Sequence, residues 1–294
     1  MKKEIKVINK KKNLFLEEEL SDKEKNINFS KFHVLPIPLE KTVSYGKGTS
    51  KAPEIIINAS NQLERNHNSP CDFGIYTHNA LDCSLNFKSI FQNIENLIFE
   101  ILKKNKIPVC IGGEHSLTFG VIKGFKKKYE NSNEDFGIIQ FDAHADLRKT
   151  YNKNINSHAT VMYKIHKENI PIFQFGVRAQ SEEEIKLRDK LNIYYKTIDD
   201  YRKNLNIKLP RKFPKNIYIT FDSDCLDPSI MPATGTPVPN GLYYNETFLI
   251  LEKLTKNRKI IGFDYVEYTP IKNFHAYDYL SANIIYDLMK LCIK

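Results

Sequence analysis

Apolar positions along this chain fall into two alternating rhythms. Short continuous runs read as strands buried on both faces: HVLPIP from His33, PVCI from Pro108, GIIQF from Gly137, IPIFQFGV from Ile170, NIYITF from Asn216 and KIIGFDYVEY from Lys259. Between them lie segments with apolar residues at helical spacing. A helix is predicted from Ala52 or Pro53 through EIIINAS, with proline tolerated in its first turn. Others are predicted in NFKSIFQNIENLIFEILKKNK, SLTFGVIKGFKKKYE, SEEEIKLRDKL and NETFLILEKLTKN. Alternation of this kind predicts an α/β fold with a mostly parallel central sheet and helices on both faces. No internal repeat or linker divides it, so residues 31–294 are expected to form one domain. Residues 1–30, polar and charged, are expected to be a loosely held extension.

The polar residues that interrupt this pattern carry the chemistry. GIIQF runs into FDAHADLR, which spaces Asp142, His144 and Asp146 two residues apart. On an extended chain, residues i, i+2 and i+4 point to one side. NIYITF ends in DSDCLDP with Asp222 and Asp224, and IPVCIGG delivers His115 just past two glycines. Ligands of parallel α/β sheets bind beyond the carboxyl ends of strands, where all three clusters fall. A lone DxD is more often a turn or a helix cap, and Asp227 before Pro228 reads as a turn residue. Three such clusters at separate strand ends favour a metal site. Four carboxylates with two imidazoles suit manganese better than zinc, and six ligands are enough for two ions. Paired ions about 3.5–4 Å apart activate water and stabilise charge on the attacked centre, so the reaction class is hydrolysis.

Composition removes alternatives more than it adds. The chain has 294 residues and a formal net charge of +9, from lysines scattered with short clusters at Lys10–Lys12 and Lys126–Lys128. These clusters lack aromatic interleaving and read as solvated surface, with no nucleic-acid partner. No run approaches a membrane span, and the basic start lacks the apolar core of a signal peptide, so a cytoplasmic location and no membrane partner are expected. Five cysteines, Cys71, Cys83, Cys110, Cys225 and Cys292, form no CxxC pair and read as reduced thiols. Cys225, beside Asp224, could be reached by an oxidant or a soft metal, but reads first as a small loop residue.

GGEHS at Gly112, DAHAD at Asp142, SHA at Ser157 and TFDSDCLDPSIMPATGTPVPNGL at Thr220 resemble the ureohydrolases, the arginase and agmatinase family. The likeness runs from about Ser44 to the last residue. It implies a single three-layer αβα domain with two Mn2+ per subunit that hydrolyses a guanidino group to urea and an amine. His115, Asp142, His144, Asp146, Asp222 and Asp224 match the ligand positions, His158 matches the proton-shuttling histidine, and Glu267 matches the carboxylate that holds the guanidinium. Both last roles are chemically sound: a carboxylate pairs bidentately with the planar guanidinium. An imidazole titrating near neutrality suits protonation of the departing amine. LRKTYNKNINSHATVM and FGVRAQSEEE look like the agmatinase versions of their segments, so agmatine, giving putrescine and urea, is the expected substrate. Guanidinobutyrase, guanidinase, formiminoglutamase or arginase activity, or a non-catalytic binding subunit, are the alternatives. The resemblance also implies a homo-oligomer, a trimer or hexamer.

A cation lining a pocket for a dicationic substrate is unfavourable, so Arg148 and Arg178 are expected to be held in structural ion pairs; either one reaching the pocket would instead favour a substrate with a carboxylate, such as 4-guanidinobutyrate. The chain departs from the family pattern at Ser223 between the paired aspartates, Ala159 after His158, and Asn240 in place of a glycine. Asn240 is expected near the substrate entrance, where it would bear on specificity.

Overall fold

The computed structural model describes residues 13–130 and 132–294; the Lys10–Lys12 cluster and the start of the expected extension lie outside them. Eight strands, β1 (Phe32–Ile37), β2 (Ile75–Thr77), β3 (Ile107–Gly112), β4 (Phe136–Phe141), β5 (Ile172–Phe175), β6 (Tyr194–Lys196), β7 (Asn216–Asp222) and β8 (Lys259–Val266), form one sheet. Their order is β2-β1-β3-β8-β7-β4-β5-β6, and every pair is parallel. The sheet is thus wholly parallel, where the sequence predicted mostly parallel. Because β3 connects to β4 past β8 and β7, the carboxyl ends of β3, β8, β7 and β4 stand side by side at its centre. A crevice at such a point is where α/β sheets bind ligands.

Alternate residues of each strand enter two cores. Phe32, Val109, Ile139, Ile219 and Phe263 pack on one face, beneath α1 (Ala52–Ser60), α6 (Ile198–Asn204), α7 (Tyr244–Thr255) and α8 (Ala276–Leu291). Leu35, Cys110, Ile138 and Tyr218 pack on the other, beneath α2 (Phe87–Lys103), α3 (Leu117–Tyr129) and α4 (Val161–His166). Leu187 of α5 (Glu182–Lys190) packs against this second core. Both faces of the strands are therefore buried, which explains their unbroken apolar runs. The predicted helices stand where their spacing put them, with ends displaced by at most three residues.

Residues 13–30 are packed rather than loose. Phe15 and Leu16 are fully buried in the first core, and their backbone N–H groups donate to Thr77 Oγ1 and Ser60 Oγ at 3.0 and 2.9 Å. Ile75 N–H of edge strand β2 donates to Glu24 O at 2.9 Å. Two apolar residues inside a polar stretch have no period for a sequence pattern to detect, yet they anchor the segment over an otherwise exposed sheet edge. No described helix is long and apolar enough to cross a membrane. Replacing Phe15 by alanine is expected to cost about 3–5 kcal/mol, as for a large core side chain. Urea unfolding checks this, since a peripheral segment would leave the midpoint within error of the parent.

Candidate metal centre

The double glycine after β3 gives its turn room. A Cβ on Gly113 would lie 2.0 Å from Leu39 O, so only glycine lets the two segments pass. The turn carries His115 into a fully buried position just before α3. Thr220, at the end of β7, donates its hydroxyl proton to buried Asp264 at 2.6 Å, and Tyr218 and Thr118 donate to the same carboxylate. Thr220 Oγ1 is therefore left to accept from His115 Nε2 at 2.8 Å. This orients the Nδ1 lone pair toward Asp142 Oδ2, Asp146 Oδ2 and Asp222 Oδ2, at 3.2, 3.2 and 3.5 Å.

A second group adjoins the first. His144 Nδ1 lies 2.9 Å from Asp224 Oδ2 and 3.7 Å from Asp142 Oδ1. Asp142 belongs to both clusters, one with His115 and Asp222, the other with His144 and Asp224, and in each the candidate ligand atoms lie within 4.8 Å of one another. All six predicted residues are thus brought together. Asp142 is fully buried, and Gln140 Nε2 donates to its Oδ2 at 2.7 Å. Gln174 donates in turn to Gln140 Oε1. The aspartates do not converge by strand alternation, because β4 ends at Phe141 and Asp146 has φ 52°. A bent loop, whose Asp142 accepts from the backbone N–H of His144 at 2.6 Å, does the gathering.

The donor set fits two divalent cations. His115 Nδ1 is buried with no hydrogen-bond partner although three carboxylates face it, which is the environment a cation would satisfy. Protons respond to the same crowding. Burial disfavours charge on His115, but the facing carboxylates of Asp142, Asp146 and Asp222 outweigh it and hold the imidazole well above its ordinary value. Burial likewise opposes charge on His144, and the charges of Asp224 and Asp142 push it up to about 12. Asp222 is raised well above the carboxylate range by burial and by the charges of Asp224 and Asp142.

A cavity of about 400 Å³ opens above these groups, lined in part by His144, Asp146, Asp222 and Asp224, with His158 and Glu267 in its wall. Glu267 follows β8 with φ 61°, donates its backbone N–H to Gly113 O at 2.9 Å and accepts from His115 N at 2.6 Å through Oε1. A residue other than glycine held in the left-handed region at a cavity marks a position that its surroundings enforce. Burial first, and then the nearby charges of Glu114 and Asp146, push Glu267 up to about 8.

Other expectations changed. Arg178 sits in no ion pair among the described residues: its guanidinium donates to backbone carbonyls, including Asp224 O and Val238 O, both at 2.7 Å. Arg148 lines the cavity but lies over the Tyr151 ring and 3.7 Å from Glu184 Oε2. Asn240 has φ 64°, which explains why it can replace a glycine. Its side chain bonds Asp199 and Arg202, not the cavity. Ser223 is buried at the start of a short turn after β7, its hydroxyl unpartnered. Cys225 is fully buried, and burial pushes its thiol well up, so it is no reactive thiolate. Sequence reasoning missed Thr220 and Asp264, which set the hydrogen bonding of His115, and Thr42, which reaches His158 and is itself bonded to Glu114. Only Glu114, inside GGEHS, had a signal.

A sequence model of the Arginase family matches residues 30–290. The chain is 32% identical over 269 residues to the N(1)-aminopropylagmatine ureohydrolase of Synechocystis sp., covering 87% of each chain. It is 30% identical over 249 residues to the agmatinase of Pyrococcus horikoshii, covering 82% of this chain and 85% of that one. It is similar to the solved structure of the agmatine ureohydrolase of Thermoplasma volcanium, with a TM-score of 0.80, 26% identity and 94% of both chains covered.

Protonated His144 must lose its proton to become a ligand, so cation loading at pH 7–8 is expected to release protons, and affinity is expected to rise with pH. Titration with manganese in weak buffer, followed by a pH indicator, checks this. Loading without proton release would contradict the assignment of His144.

Proposed function

This chain belongs to the arginase family of metal-dependent ureohydrolases, and on that premise we propose that it hydrolyses the guanidino group of agmatine to putrescine and urea, with two Mn2+ held by His115, Asp142, His144, Asp146, Asp222 and Asp224. The single observation that carries the reading is the shared carboxylate of Asp142 beneath a cavity walled by His158 and Glu267.

Glu267 binds the substrate's planar guanidinium and fixes its carbon over the aspartates. Burial without a counter-charge pushes this carboxyl up, and a bound guanidinium supplies that charge. When bound, the two cations supply the acidification of a water molecule and offset charge growing at the guanidino carbon. A new C–O bond forms there, the C–N bond to the alkyl amine breaks, and His158 gives the leaving nitrogen its proton.

The relatives support an amine-tailed substrate. Two dications would balance the four aspartates, Glu184 lies 3.7 Å from Arg148, and the charge of Glu267 is taken by the guanidinium, so the charge count leaves the tail open. The names of the relatives, agmatinase and N(1)-aminopropylagmatine ureohydrolase, favour a cationic tail over the carboxylate of arginine or 4-guanidinobutyrate. The aminopropyl derivative of agmatine, which the Synechocystis relative's name specifies, is the second reading. It shares this cationic character.

Urea release by manganese-loaded protein is expected with agmatine or N1-aminopropylagmatine at kcat/KM well above that for arginine or 4-guanidinobutyrate. A preference for either carboxylated compound would overturn the choice of an amine-tailed substrate, and silence with all four would overturn the function. Glu267→Gln is expected to lower kcat/KM by about 10²-fold or more. His158→Asn is expected to lower kcat by about 10²–10⁴-fold. Asp142→Ala is expected to lose both manganese ions, whereas Asp224→Ala is expected to keep one; metal analysis after dialysis checks both.

A further inference from the structure

Glu114, beside His115 in the turn after β3, is fully buried yet belongs to neither cation cluster. It is a hub for a loop instead. Its Oε2 accepts from the backbone N–H of Lys41 and of Thr42, both at 2.5 Å, and its Oε1 accepts from Thr42 Oγ1 at 2.9 Å and Ser116 Oγ at 2.5 Å. Thr42 has one hydroxyl proton, and this geometry commits it to Glu114. Thr42 Oγ1 can then only accept from other groups. It does so from the backbone N–H of His158 at 3.1 Å, and it lies 3.2 Å from His158 Nδ1. Ser157 Oγ, farther away at 3.4 Å, accepts from Ala159 N–H.

We infer that Thr42, its hydroxyl oriented by Glu114, fixes His158 in the tautomer with the proton on Nδ1, so that Nε2 is the nitrogen open to the cavity. The inference rests on His158 being the proton donor of the proposed reaction. In that role the imidazolium gives the Nε2 proton to the departing amine nitrogen and keeps the one on Nδ1. The neutral ring left behind is the tautomer that Thr42 accepts from, so no rearrangement follows the transfer. Thr42 and Glu114 are positioning residues, since neither touches the reacting atoms. Thr220 and Asp264 treat His115 alike with the opposite nitrogen: a carboxylate takes the hydroxyl proton, and the hydroxyl oxygen then selects which imidazole nitrogen carries hydrogen.

The test reads the tautomer directly, from 15N NMR of the full chain labelled at histidine and free of added metal, with the His158 signals assigned by their loss in His158→Gln. The parent protein is expected to show a protonated Nδ1 and a bare Nε2 in the neutral ring. Thr42→Ser should keep that pattern and Thr42→Val should lose the bias. Glu114→Gln should invert it: the amide oxygen stays on the two backbone N–H groups, the amide nitrogen faces Thr42, and the hydroxyl proton turns to Nδ1. In manganese-loaded protein, Thr42→Val is expected to lower kcat about tenfold or more with KM little changed, and Thr42→Ser to restore it. A parent ring protonated on Nε2, or signals unmoved in both Thr42→Val and Glu114→Gln, would overturn the inference. The expected tautomers in a protein that releases no urea would sink the proposed function and leave the inference standing.

Discussion

Buried negative charge at the centre of the sheet is the constraint on which the other features depend. Asp142, Asp222 and Asp224 are almost wholly removed from water, Asp146 nearly so, and their oxygens crowd around two imidazoles. Carboxylates taken out of water and set side by side raise one another's proton affinity, and an uncompensated buried charge costs several kcal/mol. Protons on His115 and His144 relieve part of this repulsion. Bound cations would relieve it further, which is why a crowd of buried carboxylates and imidazoles suits a metal.

Keeping such a cluster in place requires a rigid frame. The wholly parallel sheet, buried on both faces, sets the ends of β3, β4, β7 and β8 side by side. Around them, neutral side chains hold several groups of the site: Gln140 bonds Asp142, Thr220 bonds His115, and Thr42 lies beside His158. Two cavity residues, Asp146 and Glu267, stand in the left-handed region, each tied by backbone bonds, with Met162 N–H on Asp146 O and Glu267 N–H on Gly113 O. Strain of about 1–3 kcal/mol at each is carried by the surrounding frame and aims a carboxylate at the cavity.

Much of this was legible in the chain itself. Buried parallel strands must be continuously apolar, so β1, β3, β4, β5, β7 and β8 announce themselves, and polar residues just past three of them name the six candidate ligands. The edge strands did not, since each has three residues and Tyr194 and Tyr195 of β6 are half exposed. The 16-residue helix α8 went unread although Leu280, Ile284, Ile285 and Leu288 keep helical spacing. Hydroxyl relays are illegible in principle: Thr42 and His158 are 116 residues apart, and only the fold brings them together. The docking of Phe15 and Leu16 is equally a tertiary event, with no local period behind it.

The most direct test of the account is anomalous scattering at the manganese edge from crystals grown with manganese. The account requires two peaks about 3.5–4 Å apart, with the Asp142 carboxylate between them, His115 at one and His144 at the other. A single peak, or two peaks that do not share Asp142, would contradict it.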